Sequence, residues 1–366
     1  MDKSVVSLKL ADGTELGSFD NYEINTDIMT PCSGWHVDVG SYHAWRKISG
    51  LVELDAKVQV FLDGSQVMTG WIDTIDEQSA GTDLKVAIGG RDHLKLLVKP
   101  DLHPNTTIKN LSVADAVLKV LKQAYRTDVP VLVFDNEANR NVLTRKKTKK
   151  GKAISTAKQL EQLQPQPGES NFEFLARILR RSGLWMWGTV DGNIVVGKPN
   201  YDQPPSYTIQ REFGQATSYV KSARRRRDKT NVPSHVFVRG KSAGKGESSS
   251  VVQGKAVDPD WTLWAPSYIK HDNVTSAKEA ADVAVQELTR HKQGEYVYEV
   301  VLKGHKDGLT GAYYAVDTVA HVHDEMFGFD EDLYCASCTW ARTGNETTSR
   351  LKLIRLGSLI FDSEDV

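Results

Sequence analysis

The chain has 366 residues, 40% of them apolar and 25% charged, with a formal net charge of −1. That balance belongs to ordinary globular domains, two or three at this length, and excludes a disordered or strongly polyelectrolyte chain. A near-neutral overall field steers the molecule toward neither nucleic acid nor an anionic membrane.

Three cysteines, Cys32, Cys335 and Cys338, are too few for a disulfide framework and suit a reducing compartment. The opening MDKSVVSLKLADGTE lacks a basic stretch followed by a long apolar run, so no secretory signal is expected. No apolar run approaches the roughly 20 residues of a membrane-crossing helix.

Residues 1–100 read as strands and turns. ADGT (11–14) and LDGS (62–65) hold the Asp-Gly pair of tight hairpins. WHVDVG sets Trp35, Val37 and Val39 on one face, and DLKVAIGG does the same with Leu84, Val86 and Ile88. Many short strands with regular turns predict a barrel or sandwich.

From about residue 105 the period becomes helical. SVADAVLKVLKQAY places Val113, Ala116, Val117, Val120, Leu121 and Ala124 at helical spacing, with Ser112 and Asp115 as a capping pair. VPVLVF (129–134) reads as a buried strand. In PGESNFEFLARILRRSGLWMWGTVDGNIVVGKP (167–199), Ser170 is the predicted N-cap and Glu173 its partner. Phe172, Leu175, Ile178 and Leu179 form the apolar face, and Gly183 is expected to end the helix. Trp185 and Trp187 share a strand face before the Asp191-Gly192 turn. Residues 101–204 are therefore expected to form an α+β domain.

Residues 205–366 return to long alternating strands, which predict a second barrel or sandwich, with one helix over 276–292. Ser276 and Glu279 cap that helix, and its apolar stripe is Ala277, Ala280, Ala281, Ala284 and Leu288. Two stretches, 145–168 and 239–255, are polar or rich in Gly and Ser and read as exposed loops.

Candidate chemistry is sparse. His321, His323, Cys335 and Cys338 offer four ligands suited to zinc. A continuous strand through LYCASCTW, however, points the two cysteines to opposite faces, and Ala-Ser is not turn chemistry. DEMFGFDED (324–332) lacks the ordered loop of a calcium site and reads as a solvated turn. Asp73, Asp76 and Glu77 read as the solvent end of a strand rather than a catalytic set. No G-x-S-x-G, H-E-x-x-H or Walker motif occurs. The basic runs 145–152 and Arg224–Arg227 could neutralise phosphates, but no aromatics interleave them. They read as a solvated loop and an edge or subunit contact. A zinc-dependent enzyme and a basic nucleic-acid-binding module are the alternatives to a structural protein.

Three ordered blocks carry a resemblance: VQVFLDGSQVMTGWIDTIDEQSAGTDLKVAIGGRDHLKLLV, the stretch from Gln166 to Pro199, and the run from Thr275 to Leu356. In this order they resemble the baseplate hub proteins of contractile phage tails, particularly the Mu-like ones, with the late control D proteins and the hub part of type VI secretion spikes. The family-motif residues are Gly90, Arg91, Asp92, Gly168, Glu169, Ser170, Phe172, Leu175, Trp185 and Trp187. The resemblance implies a β-rich α+β chain with two tube-type β-barrel domains, at 1–100 and 205–366, around the α+β domain, forming a trimeric ring. It implies a homotrimer that meets a tail tube protein or tube initiator, a central spike protein and other baseplate proteins. DNA would pass through the lumen without specific binding. No cofactor, metal or catalytic residue is implied, and the place of work is the tail baseplate of a virion assembled in the host bacterial cytoplasm.

Overall fold

The computed structural model describes residues 5–17, 19–81, 83–98, 101–103, 105–109, 111–126, 129–133, 146–147, 153–154, 163–180, 184–214, 219–241, 251–271, 274 and 276–359. The first module holds β1 (Val6–Leu10), β2 (Glu15–Leu16), β3 (Phe19–Asp27), β4 (Gly34–Val39), α1 (Tyr42–Ile48), β5 (Lys57–Leu62), β6 (Ser65–Ala80) and β7 (Asp83–Asp92). Next come α2 (Lys95–Val98), α3 (Val113–Tyr125), β8 (Leu132–Val133), β9 (Lys146–Lys147), β10 (Ala153–Ile154), α4 (Asn171–Arg180), β11 (Trp185–Gly188) and β12 (Ile194–Gly197). The last part holds β13 (Tyr207–Arg211), β14 (Val220–Arg227), β15 (His235–Lys241), β16 (Val251–Val257), β17 (Pro266–Lys270), α5 (Ala277–Lys292), β18 (Tyr296–Lys303), β19 (Thr318–Asp324), β20 (Phe329–Thr343) and β21 (Glu346–Arg355).

The turn chemistry is local and legible. Asp63 and Gly64 both take positive φ, 50° and 78°, as a two-residue hairpin turn requires. Trp35, Val37 and Val39 of β4 are buried, as are Val86 and Ile88 of β7. Apart from β15, β16 and β17, the strands of the two expected barrels are hydrogen-bonded into one 13-stranded sheet, with β3 beside β20 at its centre. One half runs β3-β4-β7-β6-β5-β1-β2 and the other β20-β21-β18-β14, with β19 and β13 alongside β20. A single core spans both halves, from Leu8 and Ile24 to Tyr298 and Leu353.

Two smaller modules flank this sheet. In one, α3 and α4 pack with the sheet β11-β12-β8. Ser112 accepts from the Asp115 N–H at 3.1 Å to start α3. Ser170 and Glu173 form the reciprocal box of α4: the Glu173 N–H donates to Ser170 Oγ at 3.2 Å, and the Ser170 N–H donates to Glu173 Oε2 at 2.8 Å. Phe174, Leu175, Ile178 and Leu179 are buried under it, each burial contributing about 1.5–3 kcal/mol. Gly183, the expected helix stop, and Phe134 lie outside the described residues.

In the other, α5 packs on the sheet β16-β15-β17. Its buried face is Ala280, Ala284, Val285 and Leu288, while Ala277 is exposed. This corrects the reading of 239–255 as a loop. Arg239–Lys241 and Val251–Lys255 are paired strand, Lys241 opposite Val251, and residues 242–250 lie outside the described residues. The glycine that disguised the strand has a packing reason. A Cβ on Gly254 would stand 2.1 Å from the Ala280 carbonyl carbon of α5, so only glycine lets the helix backbone lie on β16. Gly254→Ala is expected to destabilise this module by about 1–3 kcal/mol, read as a lower urea midpoint of Trp261 and Trp264 fluorescence against the remaining tryptophans.

Candidate functional site at the joint of the modules

Asp92 ends β7 and sits where the first module meets the Trp hairpin. Its Oδ2 accepts from the Ser33 N–H and its Oδ1 from the Leu94 N–H, both at 2.9 Å. Burial pushes its carboxyl up to about 6, against the pull of those two donors. Beside it, burial lowers His93 to about 4, and Gly188 of β11 lies so close that a Cβ there would meet His93 Cε1 at 2.7 Å. Gly90 is fixed by packing: a Cβ there would meet Trp71 O at 2.0 Å and the Trp35 ring at 2.7 Å.

Arg91 belongs to a charge network that the sequence does not announce. Its Nε donates to Asp73 Oδ2 at 2.5 Å, and Lys95 Nζ donates to Asp73 Oδ1 at 2.7 Å and to Asp55 Oδ1 at 3.0 Å. Burial pulls the Asp73 carboxyl upward, but the Arg91 and Lys95 bonds together hold it below its ordinary value. The network ties β6, β7 and α2 together, and Asp73 is occupied rather than free for acid–base work. Asp76 and Glu77 are exposed, with Glu77 accepting from the Trp45 indole at 2.6 Å.

The Trp hairpin has two working faces. Met186, Ile194 and Val196 pack toward the helices. Trp187 and Val195, with Trp185 against them, pack instead with Ile28, Val319, Tyr334 and Ile354 of the great sheet. Trp185 Nε1 donates to Leu359 O at 2.8 Å. Packing of the two tryptophans is therefore not confined to the intermediate domain; they wedge it against the sheet. A cavity of about 310 Å³ lies between the modules, with Asp27, Asp92, Trp187, Asp317 and Trp340 on its wall.

Gly168 (φ 77°), Glu169 and Ser170 lie at the other end of that module, at the start of α4. Glu169 is paired with Arg177 at 2.8 Å, and Leu102 N–H donates to Glu169 O at 3.0 Å. Leu175 is buried and Phe172 half-buried there. The structure thus brings Asp92 and Trp187 to one cavity and keeps Gly168, Glu169, Ser170, Phe172 and Leu175 apart from it.

The zinc set is not assembled. His321 and His323 stand on the exposed side of β19, at 2.8 Å from Asp332 and 3.1 Å from Asp330 across the strand pair. Cys335 and Cys338 are fully buried in the sheet core. Burial raises the Cys335 thiol to about 12 and pushes Cys338 upward as well, away from the thiolate form that binds metal. The expected opposite facing of the two cysteines is overturned. The ladder shifts register between Cys335 and Ser337, and this bulge puts both thiols on the same side. Among the described residues no group of three or more His, Cys, Asp or Glu is placed to hold a metal ion. Asp324 of the acidic turn is buried, accepting from Tyr298 Oη at 2.8 Å.

Arg224–Arg227 lie on β14, the terminal strand of its half-sheet. Arg225 stacks over Phe327 and Phe329, Arg226 pairs with Asp228, and Arg224 stands 3.8 Å from Glu299. Exposed Arg224 and Arg226 blunt the sheet edge against stray pairing. The side chains of the 145–152 run lie outside the described residues.

The architecture is a mainly antiparallel sheet wedged by a helix-backed hairpin, with internal ion pairs at the joint. Residues 5–92 match the model of the N-terminal domain of Mu phage baseplate assembly protein GpP-like proteins, and residues 150–198 match the second domain of baseplate hub protein gp44-like proteins. The chain thus carries a GpP-like segment and a gp44-like segment, and it resembles phage-tail baseplate hub proteins in these two stretches. A tail protein from Neisseria meningitidis MC58 is 21% identical, with 98% of each chain covered and a TM-score of 0.80. The 43 kDa tail protein of prophage MuSo2 from Shewanella oneidensis is 17% identical, with 97% of this chain and 99% of that chain covered and a TM-score of 0.77. The E. coli c3393 protein, a type VI secretion component with structural similarity to T4 tail proteins gp27 and gp5, is 11% identical over 96% of this chain and 78% of its own, at TM-score 0.58. At these identities the likeness is one of fold. No curated protein sequence matches the chain.

The seam between the halves of the sheet carries a buried polar chain with a pH signature. Tyr22 Oη lies 2.8 Å from His305 Nε2, and His305 Nδ1 lies 3.1 Å from Ser349 Oγ. Burial lowers His305 from 6.5 to about 4. The unfolded chain therefore takes up this proton first as pH falls. The contribution of His305 is intact above about pH 6.5, is lost between there and pH 4, and amounts to about 3 kcal/mol. His305→Gln is expected to flatten the urea stability profile over that window, and a wild-type minus variant difference that does not change with pH would contradict it.

Proposed function

We propose that the chain is a structural, non-enzymatic baseplate hub: a homotrimer whose two sheet halves each close into a tube-type barrel. Three chains then present six similar barrels, so that a sixfold tail tube or tube initiator meets a threefold central spike. Other baseplate proteins bind around the ring, and DNA passes through the lumen without a specific site. The place of work is the virion tail, after assembly in the host cytoplasm.

The observation that carries this reading is the β3–β20 pairing, in which Tyr22 to Asp27 lie opposite Arg342 to Ser337. It joins the first and last modules edge to edge with a shared core, so their spacing is fixed by a hydrogen-bond ladder rather than by a linker. Fixed spacing is what a cyclic assembly needs if two modules per chain are to fall at near-equal angles. The internal pairing of Asp73, Arg91 and Lys95 supports a load-bearing role, since these groups are engaged with one another.

Light scattering of the purified chain, with negative-stain imaging, is the test. The expected particle has three times the 40.7 kDa of one chain and a threefold ring with a central hole. A monomer at high concentration that also forms no ring beside a spike protein would overturn the reading.

A further inference from the structure

We infer that the outer face of the three-stranded sheet β16-β15-β17 is a docking surface for an acidic, apolar segment of another protein. The sheet buries one face under α5 through Val236, Val238, Ala256 and their neighbours. Strand alternation sends the other set outward. These are His235, Phe237 and Arg239 on β15, Val251, Gln253, Lys255 and Val257 on β16, and Pro266, Tyr268 and Lys270 on β17. Trp264, just before β17, leans on His235 at 4.5 Å between ring centroids.

Two features of this face are unusual. Large apolar side chains stand in solvent: Trp264 and Tyr268 are 65% and 67% exposed. Exposed aromatics clustered in this way mark an interaction surface. Further, every charged residue in the outward set is a cation: Arg239, Lys255 and Lys270. Lys255 Nζ already lies 5.7 Å from the Phe237 ring centroid. On a chain with net charge −1, a face of one sign selects an anionic partner.

The stacking of the rings selects the kind of anion. Phe237 and Tyr268 lie side by side on neighbouring strands, centroids 5.2 Å apart and planes 13° apart, and His235 and Phe237 are 5.9 Å apart at 7°. Near-parallel rings this close admit no base between them. A nucleotide binder needs free ring faces on which bases stack. Ring edges are the positive pole of the aromatic quadrupole. Together with the flanking cations they suit carboxylates, and their bodies suit aliphatic side chains. An acidic polypeptide segment with apolar residues meets both demands.

This goes beyond the hub reading and rests on it only in expecting protein neighbours. A random-peptide display library is panned against the full chain, and one enriched peptide is synthesised and titrated by tryptophan fluorescence. Enrichment of peptides with Asp or Glu beside Leu, Ile or Phe is expected, with affinity falling as salt rises. Trp264→Ser is expected to weaken binding about tenfold or more, as for a central aromatic anchor. Lys255→Glu, which removes no buried packing, is expected to weaken it by several-fold. No enrichment, or enrichment indifferent to both variants, would overturn the inference. Tighter binding of single-stranded oligothymidine or of phosphatidylglycerol vesicles would also overturn it. So would loss of self-association in Trp264→Ser, which would assign the face to a second copy. A variant that stays trimeric while losing the peptide separates this inference from the hub reading.

Discussion

A strand buried on both faces must find a partner for every ladder N–H and C=O it carries. β20 is that strand here. Residues Leu333 to Trp340 are buried without a break, so no backbone group in this stretch can turn to water. One edge is served throughout by β21. The other is divided: β19 pairs with Phe329 to Cys335, and β3 takes over from Ser337 to Arg342. The changeover falls at the bulge, where Asp317 N–H donates to Cys335 O at 3.0 Å and Ile28 N–H donates to Ala336 O at 3.1 Å. The first module is thus not merely resting on the last. If it swung away, a hydrophobic strand edge would be left unpaired, which proteins avoid strongly. The Tyr22–His305–Ser349 chain adds polar register to the same seam.

The Trp hairpin acts as the second clamp. Because successive side chains of β11 alternate, one short strand sends Met186 into the helix-backed core and Trp185 and Trp187 into the sheet. The helical module is thereby held by large ring surfaces as well as by its continuity with α2. The remaining cavity sits where ladder, hairpin and the end of β7 converge. Asp92 is held there by two main-chain donors even though its surroundings disfavour its charge. A carboxylate of this kind specifies how the Ser33 loop and the start of α2 meet. That is a positional role and needs no reactivity.

Local physics was legible in the sequence, and distant physics was not. Ser112, Ser170 and Ser276 announced their helices because a cap is read within four residues. Asp63-Gly64 announced its turn for the same reason. The pairing of Ile24 with Trp340 leaves no local trace, since each strand reads equally well as the member of a separate barrel. The bulge at Ala336 also escapes, because parity along a strand is assumed until the ladder shows where it slips; hence the misjudged facing of Cys335 and Cys338. Composition misled at Gly254, where glycine signals a helix lying on a strand rather than a loop. The Arg91–Asp73–Lys95 network was hidden because its carboxylate lies 18 and 22 residues from its cations.

These differences divide the chain by mechanical task. The great sheet and the Trp hairpin turn their polar groups toward one another. Asp73 meets Arg91 and Lys95, Asp324 meets Tyr298 and Arg211, and Arg225 is spent on Phe327 and Phe329. The module built on α5 has its own core, so its outer face is not required for the frame's stability. Aromatic side chains can stand exposed on that face without weakening the ladder that spaces the sheet halves. The hub reading proposed above requires both conditions, since a frame that deformed whenever a neighbour docked could not hold an axis. Enclosing the exposed rings in a module with a separate core lets contacts form at its surface while the β3–β20 seam remains undisturbed.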